Sequence, residues 1–290
     1  MTAVTMQRVV VRMMFDAAFR DGVYADAGTA LQGLDLTPDE RRWLITPDPR
    51  AYGTDTYRCS RALTGLLEEY PVAGALALRL PHGVDRLHEF FAADVFHQCI
   101  QERGSMAEAF GAYLGAETFA RQPDIARMAA VEWGIARVRR AGDTLLRPLG
   151  KLTPDTRLRL APWVELLPLH PTTLPRYSTL FNCLGQDGAS RLEAVLDPDY
   201  ALPAGAPVQD DATEFVMVVG ASGTAGPSLE PASDELGALL NAAQTDPTCR
   251  ELCTAAVRLG AEPHEALELI QGFLDERLLV PLAHDARPLI

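Results

Sequence analysis

Phe215-Val-Met-Val-Val-Gly-Ala-Ser-Gly-Thr-Ala-Gly226 admits two readings that lead to different folds. Taken alone, it is an apolar strand entering a glycine-rich turn, the opening of a dinucleotide-binding unit that would use Gly220, Gly223 and Gly226. Such a unit needs a helix starting inside or just after the glycines, so that free N–H groups meet the pyrophosphate. Here Pro227 and Pro231 follow at once, and Pro231 cannot sit in a helix interior. The next helix signal starts near Ser233, too late for the phosphate. The 64 residues after Gly226 also lack the further strands of a parallel sheet. Read with Pro227-Ser-Leu-Glu-Pro-Ala-Ser-Asp234, the stretch becomes a hairpin leading into helices. The second reading is favoured.

Composition narrows the class. The chain has 290 residues, 48% apolar and 22% charged, so two globular domains are expected. No apolar run approaches a membrane span, and Met1-Thr-Ala-Val-Thr carries no basic, signal-like start. Cys59, Cys99, Cys183, Cys249 and Cys253 are odd in number and scattered, which suits reduced thiols. A cytoplasmic protein is expected. The net charge of −13 is uneven: residues 1–150 hold 17 basic and 19 acidic side chains, whereas residues 151–290 hold 9 and 20. Nucleic-acid binding needs cations to neutralise phosphates. The acidic half suits a basic or mixed-charge polypeptide instead.

Residues 1–145 read as a helical bundle of about six helices. Val9, Val10, Met13, Met14 and Phe19 outline the first. Thr37-Pro-Asp-Glu40 is a helix start with a capping box, after which Trp43 and Leu44 point inward. A helix from about Thr56 to Tyr70 buries Leu63, Leu66 and Leu67 and stops at Pro71. Val84, Leu87, Phe91 and Val95 mark one continuous helix, and Met106 to Leu114 another. Ile125, Met128, Val131 or Glu132, Ile135 and Val138 mark the last, with Asp124 as its cap. Glu132 reads as a buried, hydrogen-bonded structural carboxylate.

The pattern changes near residue 150. Thr156 to Leu169 alternates like a strand, with a break at Pro162. Asp187 to Ala206 is rich in turn formers. Phe215–Val219 is the strongest strand, and Leu229 belongs to its hairpin partner. Helices are expected over Asp234–Ala243, Pro247–Leu259 and Pro263 to about Arg277, with Leu278-Leu-Val-Pro281 as a closing strand. The fold class is therefore α+β: an all-α helical bundle over 1–150, then a winged-helix-like domain with a small antiparallel sheet over 151–290.

Reactive constellations are sparse. Asp85-x-x-His88 and Asp94-x-x-His97 imitate a di-iron spacing. On one helix their histidines would face opposite sides, about 13 Å apart. Cys249-x-x-x-Cys253 lacks two further zinc ligands, with His264 the only nearby candidate. His264-Glu265 lacks the second histidine of a metalloprotease motif, and Ser222 lacks the flanking elbow of a serine hydrolase. No catalytic or metal-binding residue is assigned.

Glu69-Tyr-Pro-Val72, Phe110-x-x-Tyr-Leu114 and Pro123-Asp-Ile-Ala-Arg-Met-Ala-Ala-Val-Glu-Trp133 form one series of landmarks. Leu158-x-Leu-Ala-Pro-x-Val164, Leu196-Asp-Pro-Asp-Tyr200 and Leu229-Glu-Pro-Ala-Ser-Asp-Glu-Leu236 continue it. In this order they resemble the bacterial "putative DNA-binding domain" family, which includes the MbnC-like and TglI-like partner proteins of peptide-modifying enzymes. The likeness spans roughly residues 60–282, and residues 1–55 lengthen its helical part. The resemblance implies an accessory, non-catalytic subunit in ribosomal peptide natural-product biosynthesis. Its partners would be a multinuclear non-haem iron oxidase, docked by the N-terminal domain, and a precursor peptide. The iron would reside in the oxidase, with no cofactor in this chain, and a cysteine of the peptide would be modified. Beside this, an open strand edge can accept an extended peptide. The expected leader site is Phe215, Val216, Met217, Val218 and Val219, walled by Leu267, Ile270 and Leu274. The other readings are an NADP-dependent oxidoreductase using the 220–226 turn and a DNA-binding regulator.

Overall fold

The strands flanking the glycine stretch are antiparallel neighbours, so the hairpin reading holds for the backbone. The computed structural model describes residues 2–53, 57–116, 119, 121–141, 152–186, 190–205, 212–220 and 226–282. Ala221 to Ala225, including Ser222 and Gly223, lie outside the described residues. So do residues 142–151, across the boundary expected near residue 150.

In chain order the helices of the first part are α1 Thr2–Phe15, α2 Ala17–Ala25, α3 Ala27–Ala30, α4 Pro38–Ile45, α5 Arg58–Glu69, α6 Pro71–Leu78, α7 Gly83–His88, α8 Asp94–Glu102, α9 Met106–Leu114 and α10 Pro123–Arg140. Then come β1 Leu158–Leu160, β2 Val164–Leu169, α11 Thr173–Cys183, α12 Arg191–Leu196, β3 Glu214–Val219 and β4 Ser228–Ala232. The chain closes with α13 Asp234–Ala242, α14 Cys249–Arg258, α15 Ala266–Asp275 and β5 Leu279–Pro281. The protein is mixed α+β with small antiparallel sheets. Two compact units emerge, each assembled from two stretches of chain. One comprises residues 1–133 and 177–205, the other 134–176 and 206–290. The stretch 177–205, read from sequence with the second half, thus belongs with the first.

The first unit has more and shorter helices than the periodicity predicts. Val84 to Val95 is not one helix. It breaks into α7, a single 3-10 turn over Glu89–Ala92, and α8, because Ala93 is extended. The break lets adjacent Phe90 and Phe91 both turn inward, and Val84 is left exposed. Phe90 meets Phe91, Phe96, Phe110 and Tyr113 at centroid distances of 5.1–5.4 Å, an edge-to-face cluster. Thr37 and Glu40 form the expected capping box. Leu44 is buried, but Trp43 is 62% exposed, contrary to expectation. Leu44 takes the inward position, in a core with Val9, Met13 and Leu31, and Trp43, about 100° round the helix, faces solvent. Asp124 is not the cap of α10, which already begins at Pro123; it pairs with Arg127 at 2.6 Å.

Glu132 is fully buried, as expected, and its role is specific. Its carboxylate accepts the N–H of Val72 (2.8 Å) and of Ala73 (3.0 Å). These are donors of the first turn of α6, whose N-cap Tyr70 offers no side-chain bond. A distant helix therefore supplies the missing cap and places a negative charge on the positive end of the α6 dipole. The Tyr70 hydroxyl donates instead to the Ala107 carbonyl at 2.7 Å. Arg79 fastens α12 by donating to the carbonyls of Ala194, Asp197 and Tyr200.

In the second unit β2, β3 and β4 form one sheet with β3 in the middle, and β1 pairs with β5. The break between β1 and β2 falls at the expected Pro162, and β5 is the expected closing strand. Val164, Leu166 and Met217 pack with Leu239, Leu240, Ile270 and Leu274 in one core. The opposite sheet face carries Glu165 and Leu167, and residues 134–140 of α10 lie against it. Arg137 binds Glu165 at 3.1 Å, and a Cβ on Gly134 would come within 2.7 Å of Leu167. Covered on both faces, β3 reads as an unbroken apolar run, not an alternating one.

Gly237 on α13 lies directly beneath the Phe215 ring, leaving no room for a methyl group. Gly237→Ala is therefore expected to destabilise this unit by about 1.5 kcal/mol, although alanine is the better helix former. Urea unfolding would measure the loss, and Phe215→Val in the same chain should recover part of it.

Candidate functional site

The sequence-derived peptide site does not survive as an open edge. β3 pairs along Phe215–Val219 with β4 and along its whole length with β2, so both of its edges are occupied. Val216, Met217 and Val218 are buried, and Phe215 and Val219 are half-buried. Ile270 and Leu274 are core residues packed in the same cluster as Met217. Of the eight residues only Leu267 is well exposed, at 54%.

The outer strand β4 exposes Ser228, Glu230 and Pro231. Prolines in β2 (Pro168) and β4 (Pro231) each remove a main-chain donor, as edge strands commonly do to resist pairing. β3 holds none. That asymmetry was a readable sign of which strand is central. It also makes β4 a poor template for a long added strand.

Leu267 leads to a different surface. α15 buries Ala266, Ile270, Phe273 and Leu274, an i, i+4, i+7, i+8 stripe. Its other side bears Leu267, Glu268, Gln271, Gly272 and Asp275, which with Leu152 line an open groove of about 480 Å³. Leu152 and Leu267 provide apolar floor. Glu268 and Asp275 provide negative charge, and Gln271 donates to Asp275 at 2.9 Å. Gly272 makes the gap: a Cβ there would meet nothing within 4 Å. The sequence signal was a mid-helix glycine that no neighbouring side chain requires, beside a leucine outside the buried stripe. Gly272→Ala is expected to stabilise the unit by about 0.5–1 kcal/mol through helix propensity alone, read as a higher thermal midpoint.

The other constellations remain apart. His88 and His97 lie on separate helices, α7 and α8, so the single-helix geometry considered for them does not apply. Among the described residues no group of three His, Cys, Asp or Glu side chains could hold a metal ion. Cys249 is buried and its thiol is pushed up to about 11, by burial first and then by Cys253. Such a thiol stays protonated and inert at neutral pH. His264 is well exposed beside Glu265, and the two stand 3.9 Å apart. Gly220 donates to the Trp163 carbonyl at 2.8 Å and packs on Val138 and Trp163. With antiparallel β4 following, this is not the parallel strand–helix unit that cradles a dinucleotide. Among the described residues no helix is long and apolar enough to cross a membrane. No protein-family model matches the chain, and no curated protein matches it.

Proposed function

We propose that this chain is a non-catalytic accessory subunit that binds the leader of a ribosomal precursor peptide and a multinuclear non-haem iron oxidase. The oxidase supplies the iron and the oxygen chemistry, and a cysteine of the peptide is modified. The observation that carries the peptide-binding part is the α15 groove, apolar at Leu152 and Leu267 and acidic at Glu268 and Asp275. A short segment with one or two apolar anchors next to lysine or arginine complements it in shape and charge. The acidic balance of residues 151–290 supports the same partner and disfavours nucleic acid. The ordered landmarks from Glu69 to Leu236 support assignment to the partner-protein family, with α13–α15 and the β1–β5 ribbon as its winged-helix-like part. The helical first unit then serves to dock the oxidase.

Anisotropy titration of a fluorescent peptide with two leucine anchors beside lysine and arginine tests the groove. Saturable binding is expected for the wild type and for Gly272→Ala. It should be lost in Gly272→Arg, whose long side chain starts in the groove where a Cβ meets no neighbour within 4 Å. Equal binding by Gly272→Arg would remove the groove from the proposal.

A further inference from the structure

We infer that the α15 groove takes its peptide as a helix, with two basic side chains seven residues apart and a bulky apolar side chain between them. This rests on the α15 groove being the peptide site, and it adds the conformation and spacing of the ligand.

The exposed side of α15 has the layout of a helix-packing face. Glu268, Gly272 and Asp275 stand at i, i+4 and i+7, the stripe by which a helix presents one side to a neighbour. Seven residues advance the chain by about 10.5 Å and leave it only about 20° short of two full turns, so both carboxylates lie on one side. Both are exposed, whereas Gln271 and Gly272 between them are half-buried. Gly272 is the low point, since a Cβ there would have no neighbour within 4 Å. The distance between packed helices is about 8–10 Å and is set by the side chains at the contact, so a glycine there favours close approach. A leucine-sized side chain placed over Gly272 would meet Leu152 and Leu267.

An extended ligand gains little on this face. The last carbonyls of α15 are already engaged: Gly272 accepts from Glu276 at 2.8 Å, Phe273 from Leu278 at 2.8 Å and Leu274 from Arg277 at 3.1 Å. The Gln271 amide is held by Asp275. A strand laid here would find no main-chain ladder, whereas a helix satisfies its own N–H and C=O groups. Charge then fixes the register. Glu268 has no hydrogen bond or ion pair among the described residues. Asp275 is the last residue of α15, where the partial negative charge of the helix end adds to its carboxylate. A facing helix rises at the same rate, so cations seven residues apart on the ligand match the two carboxylates.

Anisotropy titration of the full chain with three labelled, alanine-rich peptides of about 18 residues, long enough for partial helicity, tests the inference. The first carries Lys-Ala-Ala-Leu-Leu-Ala-Ala-Lys at its centre, which places a leucine between the lysines whichever way the helix runs. In the second, the last lysine is exchanged with the alanine two positions on, about 180° round the helix from the first lysine. The third has proline in place of the alanine before the leucine pair, which breaks the helix. The first should bind saturably. The second should bind about three- to fivefold more weakly, the scale of one exposed ion pair, and the third about tenfold more weakly or worse. In Glu268→Gln with Asp275→Asn the first and second peptides should bind alike, a convergence that a merely structural role for these carboxylates would not produce. Equal binding of the first and third peptides to the wild type would overturn the helical ligand, and the groove itself would stand if Gly272→Arg abolished both. Equal binding of the first and second would overturn the seven-residue spacing. No saturable binding by any of the three would overturn the inference together with the groove.

Discussion

Glu132→Ala is expected to lower the stability of the first unit by about 4 kcal/mol, the largest single loss anticipated in this chain. The substitution strands two buried N–H groups, those of Val72 and Ala73, both on residues with no exposed surface. Each unsatisfied donor costs about 1–3 kcal/mol, and the vacated carboxylate volume adds a cavity term. For a unit of this size the thermal midpoint should fall by about 8–16 °C. Glu132→Gln keeps the shape, but its amide can accept only through oxygen, so one N–H faces another donor. An intermediate loss of about 2 kcal/mol follows. Thermal melts followed by circular dichroism would rank the variants wild type, Gln, Ala. Equal melting of wild type and Glu132→Gln would show that the α6 terminus finds other acceptors.

The second large effect concerns binding. Reversing both groove carboxylates, Glu268→Lys with Asp275→Lys, is expected to weaken a basic leader peptide by about 2–3 kcal/mol, roughly 30- to 150-fold. Both residues lie beside the exposed Leu267 and away from the buried stripe of α15, so folding should be preserved. The wild-type affinity should fall with added salt, and the variant's should fall less, since exposed charges are screened over about 8–10 Å. Anisotropy titrations at two salt concentrations would show both trends. An unchanged affinity in the double variant would mean that the peptide binds elsewhere.

Local chemistry was legible in the sequence wherever neighbouring residues determine it. Thr37 and Glu40 close their capping box, Pro162 separates β1 from β2, and Pro71 ends α5 and starts α6. Glu132 could be read as a buried carboxylate, but not that it caps a helix 60 positions earlier, because such a contact has no local trace. The fragmentation around Ala93 was hidden for a similar reason. Three phenylalanines at 90, 91 and 96 can all reach one core only if the helix breaks, and periodicity assumes that it does not. α12 starts at the Ser190–Glu193 capping box, which the many turn formers nearby obscured.

The candidate site was the least legible part. An apolar run such as Phe215–Val219 looks the same whether it is an open edge or a strand enclosed on both faces. The prolines of its neighbours distinguish the cases, and they place it in the centre. On α15, Ile270 and Leu274 share the core stripe, and only Leu267 steps outside it. The surface available to a partner is thus set by which residues the packing leaves over, a property of the assembled unit.

The mass of the precursor peptide tests the accessory role most directly, after aerobic incubation with this chain alone, the iron oxidase alone, or both together. The account predicts an oxidative mass change at the peptide cysteine only when both proteins are present, with the unmodified mass recovered from this chain alone. A mass change produced by this chain without the oxidase, or by the oxidase equally well without this chain, would contradict it.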